Sequence, residues 1–150
     1  MILKSAAFDN LDRIPVRFTG DGQNISPPLY WNEVPVEASS FILFCHDPDA
    51  PVISKGGYGF VHWILYNIPY DVRGINEAEK LFKSGINDDG GRGYLGPYPP
   101  PFHGIHNYYF VIVALDTVLD MDDDLNLWDV LERVQGHVIE VARLIGTYER

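Results

Sequence analysis

The sequence predicts a mainly β protein that forms a single domain over residues 1–150. Strand-like apolar runs recur between clusters of Gly, Pro, Asn and Asp, which are typical of turns. Aromatic residues, which favour pleated sheets, are abundant, with nine Tyr, eight Phe and three Trp. Only one segment has a convincing helical period. A chain of this length can close one hydrophobic core.

Five strands are predicted before the helix, at residues 2–8, 28–34, 41–45, 60–68 and 108–115. The third is continuously apolar, which indicates a strand buried on both faces. The fourth alternates imperfectly, because His62 and Tyr66 interrupt it. Long loops at residues 19–28, 47–59 and 87–104 separate the strands, and long ordered loops usually carry function.

The predicted helix follows from apolar residues at helical spacing: Leu127, Trp128, Leu131, Val134, Val138 and Val141. The acidic run at residues 122–124 is expected to cap its N-terminus. Gly136 is expected to end or kink it, and residues 143–148 then form a closing strand. A shorter helix is predicted at residues 76–82.

Charge and cysteine content exclude several partners. The chain carries 21 acidic and 11 basic residues, a net charge of −10, whereas nucleic acids and anionic membrane surfaces require clustered Lys and Arg. No signal peptide and no apolar run of about 20 residues is visible. The single cysteine, Cys45, fits a reducing compartment. We therefore expect a cytoplasmic protein with no nucleic-acid partner and no membrane insertion.

The first candidate site is the segment Asp47-Pro48-Asp49-Ala50-Pro51, directly after a predicted buried strand. Its two prolines stiffen the loop, so that both carboxylates project from a fixed turn. The same pattern also suits a turn whose aspartates bond their own backbone. Both interpretations stay open from the residues alone.

Two histidines stand at predicted strands. His62 lies inside an apolar run, where it faces either a pocket or the core, and His106 begins the motif His106-Asn107-Tyr108. Residues 91–96 spell G-x-G-x-x-G, but the prolines that follow forbid the helix of a dinucleotide site. The Gly- and Pro-rich segment instead predicts a rigid rim with exposed backbone donors. His46, His103 and His137 are expected to lie outside the site.

These motifs, with Thr19-Gly20-Asp21-Gly22 and Gly96-Pro97, occur in an order that resembles the phosphatidylethanolamine-binding protein family, also called Raf kinase inhibitor-like. The short link from the Asp-Pro loop to His62 resembles the bacterial and archaeal branch. The resemblance implies a β-sandwich of two antiparallel sheets with Greek-key connections and one or two peripheral helices. It implies a pocket for phosphate-like groups, without a cofactor or metal, formed by Asp47, His62, Gly96, Pro97, His106 and Tyr108.

The resemblance also implies supporting residues: Pro48, Asp49, Pro51 and Asn107. It makes the bond between Ala50 and Pro51 a candidate cis peptide. The sequence departs from the family pattern at Asn107, where an arginine is usual. If that arginine braces the Asp-Pro loop, a neutral amide must hold the loop differently.

Three functions follow. The first is a non-catalytic binding protein for a small anion, with affinity that weakens as the pH rises above about 6.5 because protonated histidines favour the anion. The second is an inhibitor of a kinase or serine protease, acting through surface loops. The third is a hydrolase or metal enzyme that uses Asp47, His62 and His106. By resemblance, we also expect a homodimer.

Overall fold

A computed structural model describes residues 1–51, 53–54, 57–120 and 124–150 of the chain. In chain order the described elements are β1 (Ile2–Ser5), a 3₁₀ turn (Val16–Phe18), β2 (Leu29–Asn32), β3 (Ser40–Asp47), β4 (Ile53–Ser54), β5 (Gly57–Tyr58), β6 (Phe60–Pro69), β7 (Gly74–Ile75), β8 (His106–Leu115), α1 (Leu127–Arg133) and β9 (Val138–Tyr148). The long strands of the prediction are all present. The 3₁₀ turn and the two-residue strands β4, β5 and β7 were not predicted.

The strands form two main antiparallel sheets. The smaller has the order β1-β2-β7 and the larger has the order β6-β3-β8-β9, while β4 and β5 pair as a short hairpin. Strand β3 therefore lies between β6 and β8 in the sheet. The segment that connects β6 to β8 has to cross β3. The predicted mainly β fold with two antiparallel sheets and a peripheral helix is confirmed.

The larger sheet is buried on both faces. On one face, Phe41 packs against Trp31 of the smaller sheet, with ring centroids 5.5 Å apart, inside the main core. On the other face, Ile42 and Ile64 pack in a second core with Val130 of α1. Successive residues of β3 thus enter different cores, which explains its continuous apolar sequence.

The predicted helix is wrong in its second half. Helix α1 ends at Arg133, Gly136 has φ of +85°, and both Val138 and Val141 lie in β9. The apolar residues beyond the glycine belong to a strand, although their spacing also fits a helical period.

The N-cap differs from the prediction as well. The Asn126 side chain accepts hydrogen bonds from the backbone N–H groups of Trp128 and Asp129 at 2.9 and 3.0 Å. The cap is therefore an amide that directly precedes the helix rather than the acidic run before it. Of that run, Asp122 and Asp123 lie outside the described residues, and Asp124 forms a surface ion pair with Arg92.

Residues 76–82 form turns and bends instead of the predicted helix. Ala78 has φ of +56°, and its N–H donates to the carbonyl of Ser26. The Ser26 hydroxyl accepts from the N–H of Glu79 at 2.9 Å. Tertiary hydrogen bonds to residue 26 thus replace the helical ones. Among the described residues, no helix is long and apolar enough to span a membrane.

Candidate ligand-binding site

A cavity of about 590 Å³ opens where β3, β6 and β8 meet the long loops. Its walls combine carboxylates, imidazoles, aromatic rings and prolines. The described lining residues are Gly20, Asn24, Asp47, Ala50, Pro51, Phe60, His62, Asp89, Leu95, Gly96, Tyr98, Pro99, Pro100, His106 and Tyr108. None of these described residues is a lysine or arginine. Any positive charge at these walls must therefore come from the histidines.

Asp47 is the last residue of β3 and is almost fully buried, with 2% of its surface exposed. Its Oδ1 accepts hydrogen bonds from the backbone N–H groups of Asp49 and Ala50, at 2.9 and 3.1 Å. Its Oδ2 contacts Nδ1 of His106 at 2.7 Å. The prediction of a turn closed by an aspartate is confirmed by Oδ1, while Oδ2 contacts a histidine that lines the cavity.

His106 is the first residue of β8, and its ring nitrogens both have partners. Because the Asp47 carboxylate accepts from Nδ1–H, neutral His106 carries its lone pair on Nε2. That Nε2 lies 2.7 Å from Nδ1 of His103. His103, which was predicted to lie outside the site, is exposed and does not line the cavity, but it contacts the cavity residue His106 from the adjoining loop. Its spacing of three residues from His106 was the available signal, since a turn before the strand brings the two rings together.

A β-bulge aims His62 into the cavity. Cys45 pairs with Trp63, but the next residue, His46, pairs with Val61, so His62 is the extra residue on β6. Val61 then enters the core beneath α1, whereas Trp63 enters the core between the sheets. Strict alternation would give those two residues the same face. The bulge explains the imperfect alternation of this strand, and such bulges commonly redirect side chains at functional sites.

Burial keeps His62 neutral. Loss of solvent lowers the pKa of His62 to about 4, an effect only partly offset by its hydrogen bond to the Leu95 carbonyl and by the Asp47 charge. The ring Nδ1 donates to that carbonyl at 2.7 Å. The neutral ring therefore carries its lone pair on Nε2, the nitrogen left for a ligand.

Tyr108 lies between the two histidines on the cavity wall. Its ring centroid is 5.2 Å from that of His62 and 6.4 Å from that of His106. Burial first, and the nearby Asp47 carboxylate second, raise the pKa of Tyr108, so its hydroxyl stays protonated. This buried hydroxyl makes no hydrogen bond of normal geometry among the described residues, although the Asp47 carboxylate lies near enough to raise its pKa as a hydrogen-bond acceptor.

Asn107 does brace the Asp-Pro loop. Its backbone N–H and its side-chain Nδ2 both donate to Oδ2 of Asp49, at 2.8 and 2.9 Å. Two neutral donors thus hold the loop where the family pattern has an arginine. The predicted cis peptide is wrong: the bond between Ala50 and Pro51 is trans. Pro51 lines the cavity, whereas Pro48 belongs to the turn beneath it.

Gly96 lines the cavity at a position where no larger residue fits. A Cβ at this position would lie 2.6 Å from the Phe18 carbonyl oxygen and 2.8 Å from Oδ1 of Asn24. Pro97 does not line the cavity, and its carbonyl accepts from Gly20 N–H instead. That correction follows from the chain direction, which turns Pro97 toward the loop at residue 20.

Three backbone N–H groups of the Gly- and Pro-rich rim already have partners within the protein. The N–H of Gly96 donates to Asn24 at 2.6 Å, and the N–H of Leu95 donates to the carbonyl of His62. Gly93 N–H donates to the hydroxyl of Ser84. Donors that the cavity can still offer a ligand include the Tyr108 hydroxyl and, once it is protonated, His62. Asn24 and Asp89 also line the cavity and were not predicted as site residues, although Asn24 belongs to the segment at residues 18–29 that resembles the family.

Two antiparallel sheets with a polar, histidine-lined cavity at the strand ends define a β-sandwich protein whose cavity has the size of a small-molecule site. The family model described as phosphatidylethanolamine-binding protein matches residues 4–149 of the chain. The chain belongs to the phosphatidylethanolamine-binding protein family.

Relatives and solved structures agree with this assignment. A UPF0098 protein of Methanothermobacter thermautotrophicus is 49% identical over 157 residues, covering 100% of this chain and 99% of its own length. The crystal structure of a phosphatidylethanolamine-binding protein homologue from Chlamydia trachomatis has a TM-score of 0.91 and 39% identity, covering 99% of this chain and 96% of its own. E. coli YbcL has a TM-score of 0.90 and 29% identity, covering 99% and 98%. These relatives support membership of the bacterial and archaeal branch.

Proposed function

We propose that the cavity binds a small anionic group of the phosphate type and that the protein is a non-catalytic binding protein or regulator. The observation that carries this proposal is the Tyr108 hydroxyl, which is buried beside the cavity and makes no well-formed hydrogen bond within the described part of the chain. An unpaired buried donor costs free energy, of the order of 1–3 kcal/mol. A ligand oxygen that accepts from this hydroxyl removes that cost.

The imidazoles supply the rest of the recognition. An anion beside His62 favours the charged ring and therefore raises its pKa above the unliganded value of about 4. Ligand binding then takes up a proton, and Nε2 of His62 becomes a charged donor. This local charge compensates for the −10 of the whole chain and for Asp47 and Asp89 at the cavity walls.

Proton uptake predicts that affinity decreases as the pH rises. Sulfate is the sharpest probe because its own charge stays constant between pH 5.5 and 8.5, whereas phosphate titrates in this range. We expect sulfate to bind most tightly at the acid end, with the apparent proton uptake visible by calorimetry in buffers of different ionisation enthalpy. Affinity that stays flat across the range contradicts the role given to His62.

The variant Tyr108→Phe tests directly whether the Tyr108 hydroxyl contributes to anion binding. It removes a hydroxyl that has no partner within the described part of the chain, so the fold should be as stable as the wild type or slightly more so. Calorimetric titration with phosphate and O-phosphorylethanolamine at pH 6 should show affinity weaker by roughly tenfold or more, the effect of a hydrogen bond to a charged group. Tyr109→Phe is the matched control, because this neighbour on β8 points to the other face of the sheet. Equal affinities of both variants would exclude Tyr108 from the site.

The non-catalytic assignment rests on what surrounds the imidazoles. The outward nitrogen of His106 contacts another histidine rather than a hydroxyl or thiol. Burial, with the Asp47 charge second, raises the pKa of Cys45, and a protonated thiol is a poor nucleophile. Hydrolysis of a phosphate or carboxylate ester by the wild-type protein, lost in His106→Ala, would replace this proposal by the enzyme hypothesis.

A second candidate, inhibition of a protein target, is favoured by the apolar residues beside the cavity. Phe102 is 99% exposed and Ile105 is 60% exposed, so the loop that carries His103 presents two apolar side chains to solvent next to the cavity residue His106. Inhibition of a serine protease or protein kinase that is lost in Phe102→Ser, with phosphate binding unchanged, would establish this function.

A further inference from the structure

Three side chains form a hydrogen-bonded line from the protein interior to the surface. Buried Asp47 contacts His106 at 2.7 Å, and His106 contacts exposed His103 at 2.7 Å. The two imidazole centroids are 4.9 Å apart at an interplanar angle of 57°, so the rings meet edge to edge through their nitrogens rather than by stacking. His103 therefore occupies the outward nitrogen of His106.

The loop is built to hold His103 at this place. Residues 99–101 are all proline, which fixes their φ angles, and the N–H of His103 donates to the carbonyl of Pro100 at 3.3 Å. Phe102 has φ of +63°, a strained conformation for a residue with a large side chain. Its ring is fully exposed and gains no packing in return. The strained turn places the next residue, His103, in contact with His106.

Hydrogen-bond chemistry makes the contact incompatible with a bound anion on His106. When His106 is neutral, its Nε2 is an acceptor and His103 must be the donor. An anion needs a donor, so it can bind Nε2 only when His106 is protonated, and then His103 and the anion compete for the same N–H. The Asp47 carboxylate holds the other ring nitrogen of His106, Nδ1, at 2.7 Å, and neutral His103 is a weaker acceptor than an anion for the N–H at Nε2.

We propose that His103 is an internal competitor for the anion, which takes the place of His103 on Nε2 of His106 when it binds. This inference rests on the proposed anion-binding function and specifies how the same site is regulated. His103 swings outward on binding, with Gly104, whose φ is +93°, as the adjacent flexible position. Ligand affinity is thereby set by a residue of the loop as well as by the cavity.

The other polar groups near His103 and His106 do not prevent an anion from replacing His103 on Nε2 of His106. Asp47 on β3 and Asp89 in the loop between β7 and β8 supply negative charge at the cavity, and His62 and Tyr108 line it from β6 and β8. Among the described lining residues no lysine or arginine offers the anion another strong partner. The nitrogen now covered by His103 is therefore a principal contact for it.

The test is calorimetric titration of wild type, His103→Ala and His137→Ala with inorganic phosphate at pH 6. We expect His103→Ala to bind about three- to tenfold more tightly, the range of a net intramolecular hydrogen bond, while the exposed control His137→Ala matches the wild type. Weaker or unchanged binding in His103→Ala, with a binding wild type, overturns the competitor and leaves the proposed function intact. Absence of binding in all three proteins overturns both.

A second measurement reports on the exchange itself. Two-bond ¹H–¹⁵N NMR spectra of the histidine rings distinguish donor, acceptor and protonated nitrogens. Adding phosphate to the wild type should move the Nδ1 signal of His103 toward that of a free imidazole while Nε2 of His106 becomes protonated. If the His103 signal stays where it is as the protein saturates, the two residues do not separate and the proposal is wrong.

Discussion

The burial of His62 predicts a stability that depends on pH. Burial lowers the pKa of His62 from 6.5 to about 4 in the folded protein, while the unfolded chain keeps the ordinary value. Between these pH values the unfolded state carries a proton on His62 that the folded state lacks. The free energy of unfolding therefore falls as the pH decreases from about 6.5 to about 4, and the loss is complete below that range.

The size of this effect follows from the two pKa values. A tenfold change in protonation corresponds to about 1.4 kcal/mol, so the difference between 6.5 and about 4 amounts to on the order of 3 kcal/mol. At pH 4.5 most of it, roughly 2–3 kcal/mol, is already lost. Such a loss is a large fraction of the stability of an ordinary domain.

The perturbation is His62→Asn, whose amide can still donate to the carbonyl of Leu95 but does not titrate. Urea unfolding, followed by tryptophan fluorescence at pH 7 and pH 4.5, gives the loss of stability in each protein. Carboxylates titrate in both proteins and cancel when the two losses are subtracted. We expect the wild type to lose roughly 2–3 kcal/mol more than His62→Asn, and the control His137→Asn to behave as the wild type. Equal losses in wild type and His62→Asn would refute the assignment of a neutral, buried His62.

Two further predictions concern the fold that supports the site. Asn126→Ala removes the N-cap of α1 and should destabilise the protein by about 1 kcal/mol in urea unfolding. Asp124→Ala, which changes an exposed residue of the preceding acidic run, should alter the stability little. Similar losses in both variants would mean that the acidic run contributes to the cap as much as Asn126 does. Gly146→Ala places a Cβ 2.4 Å from Cγ1 of Ile14 and should cost about 1–3 kcal/mol and lower the Tm, whereas Gly91→Ala, with contacts no closer than 3.7 Å, should not. An unchanged Tm for Gly146→Ala would mean that Ile14 repacks freely.

The strands were predictable because each contains apolar or aromatic residues that enter a core. The run at residues 41–45 predicted burial on both faces, and the two cores on either side of β3 provide it. The helix was overextended because Val138 and Val141 fit a helical period and a strand equally well. Only pairing with β8 decides between these, and pairing partners lie too far apart in sequence to be seen locally.

The site was predictable in its members and not in its connections. Asp47, His62, His106 and Tyr108 were recognised from motifs, and the structure brings all four to one cavity. The contact between His103 and His106 depends on a strained turn, and the three-residue spacing of the two histidines does not predict it by itself. The missing partner of the Tyr108 hydroxyl likewise depends on distances that only the folded chain defines.

The bulge on β6 makes the site sensitive to residue count as well as residue identity. Deleting one residue at the bulge would restore regular pairing with β3 and turn His62 toward the helix. Every motif would still be recognisable in the sequence. A relative could therefore keep the aspartate, both histidines and the tyrosine and still lack the cavity. When motifs are transferred between members of this family, an alignment gap of one residue between Phe60 and Trp63 should weigh as heavily as the loss of His62 itself.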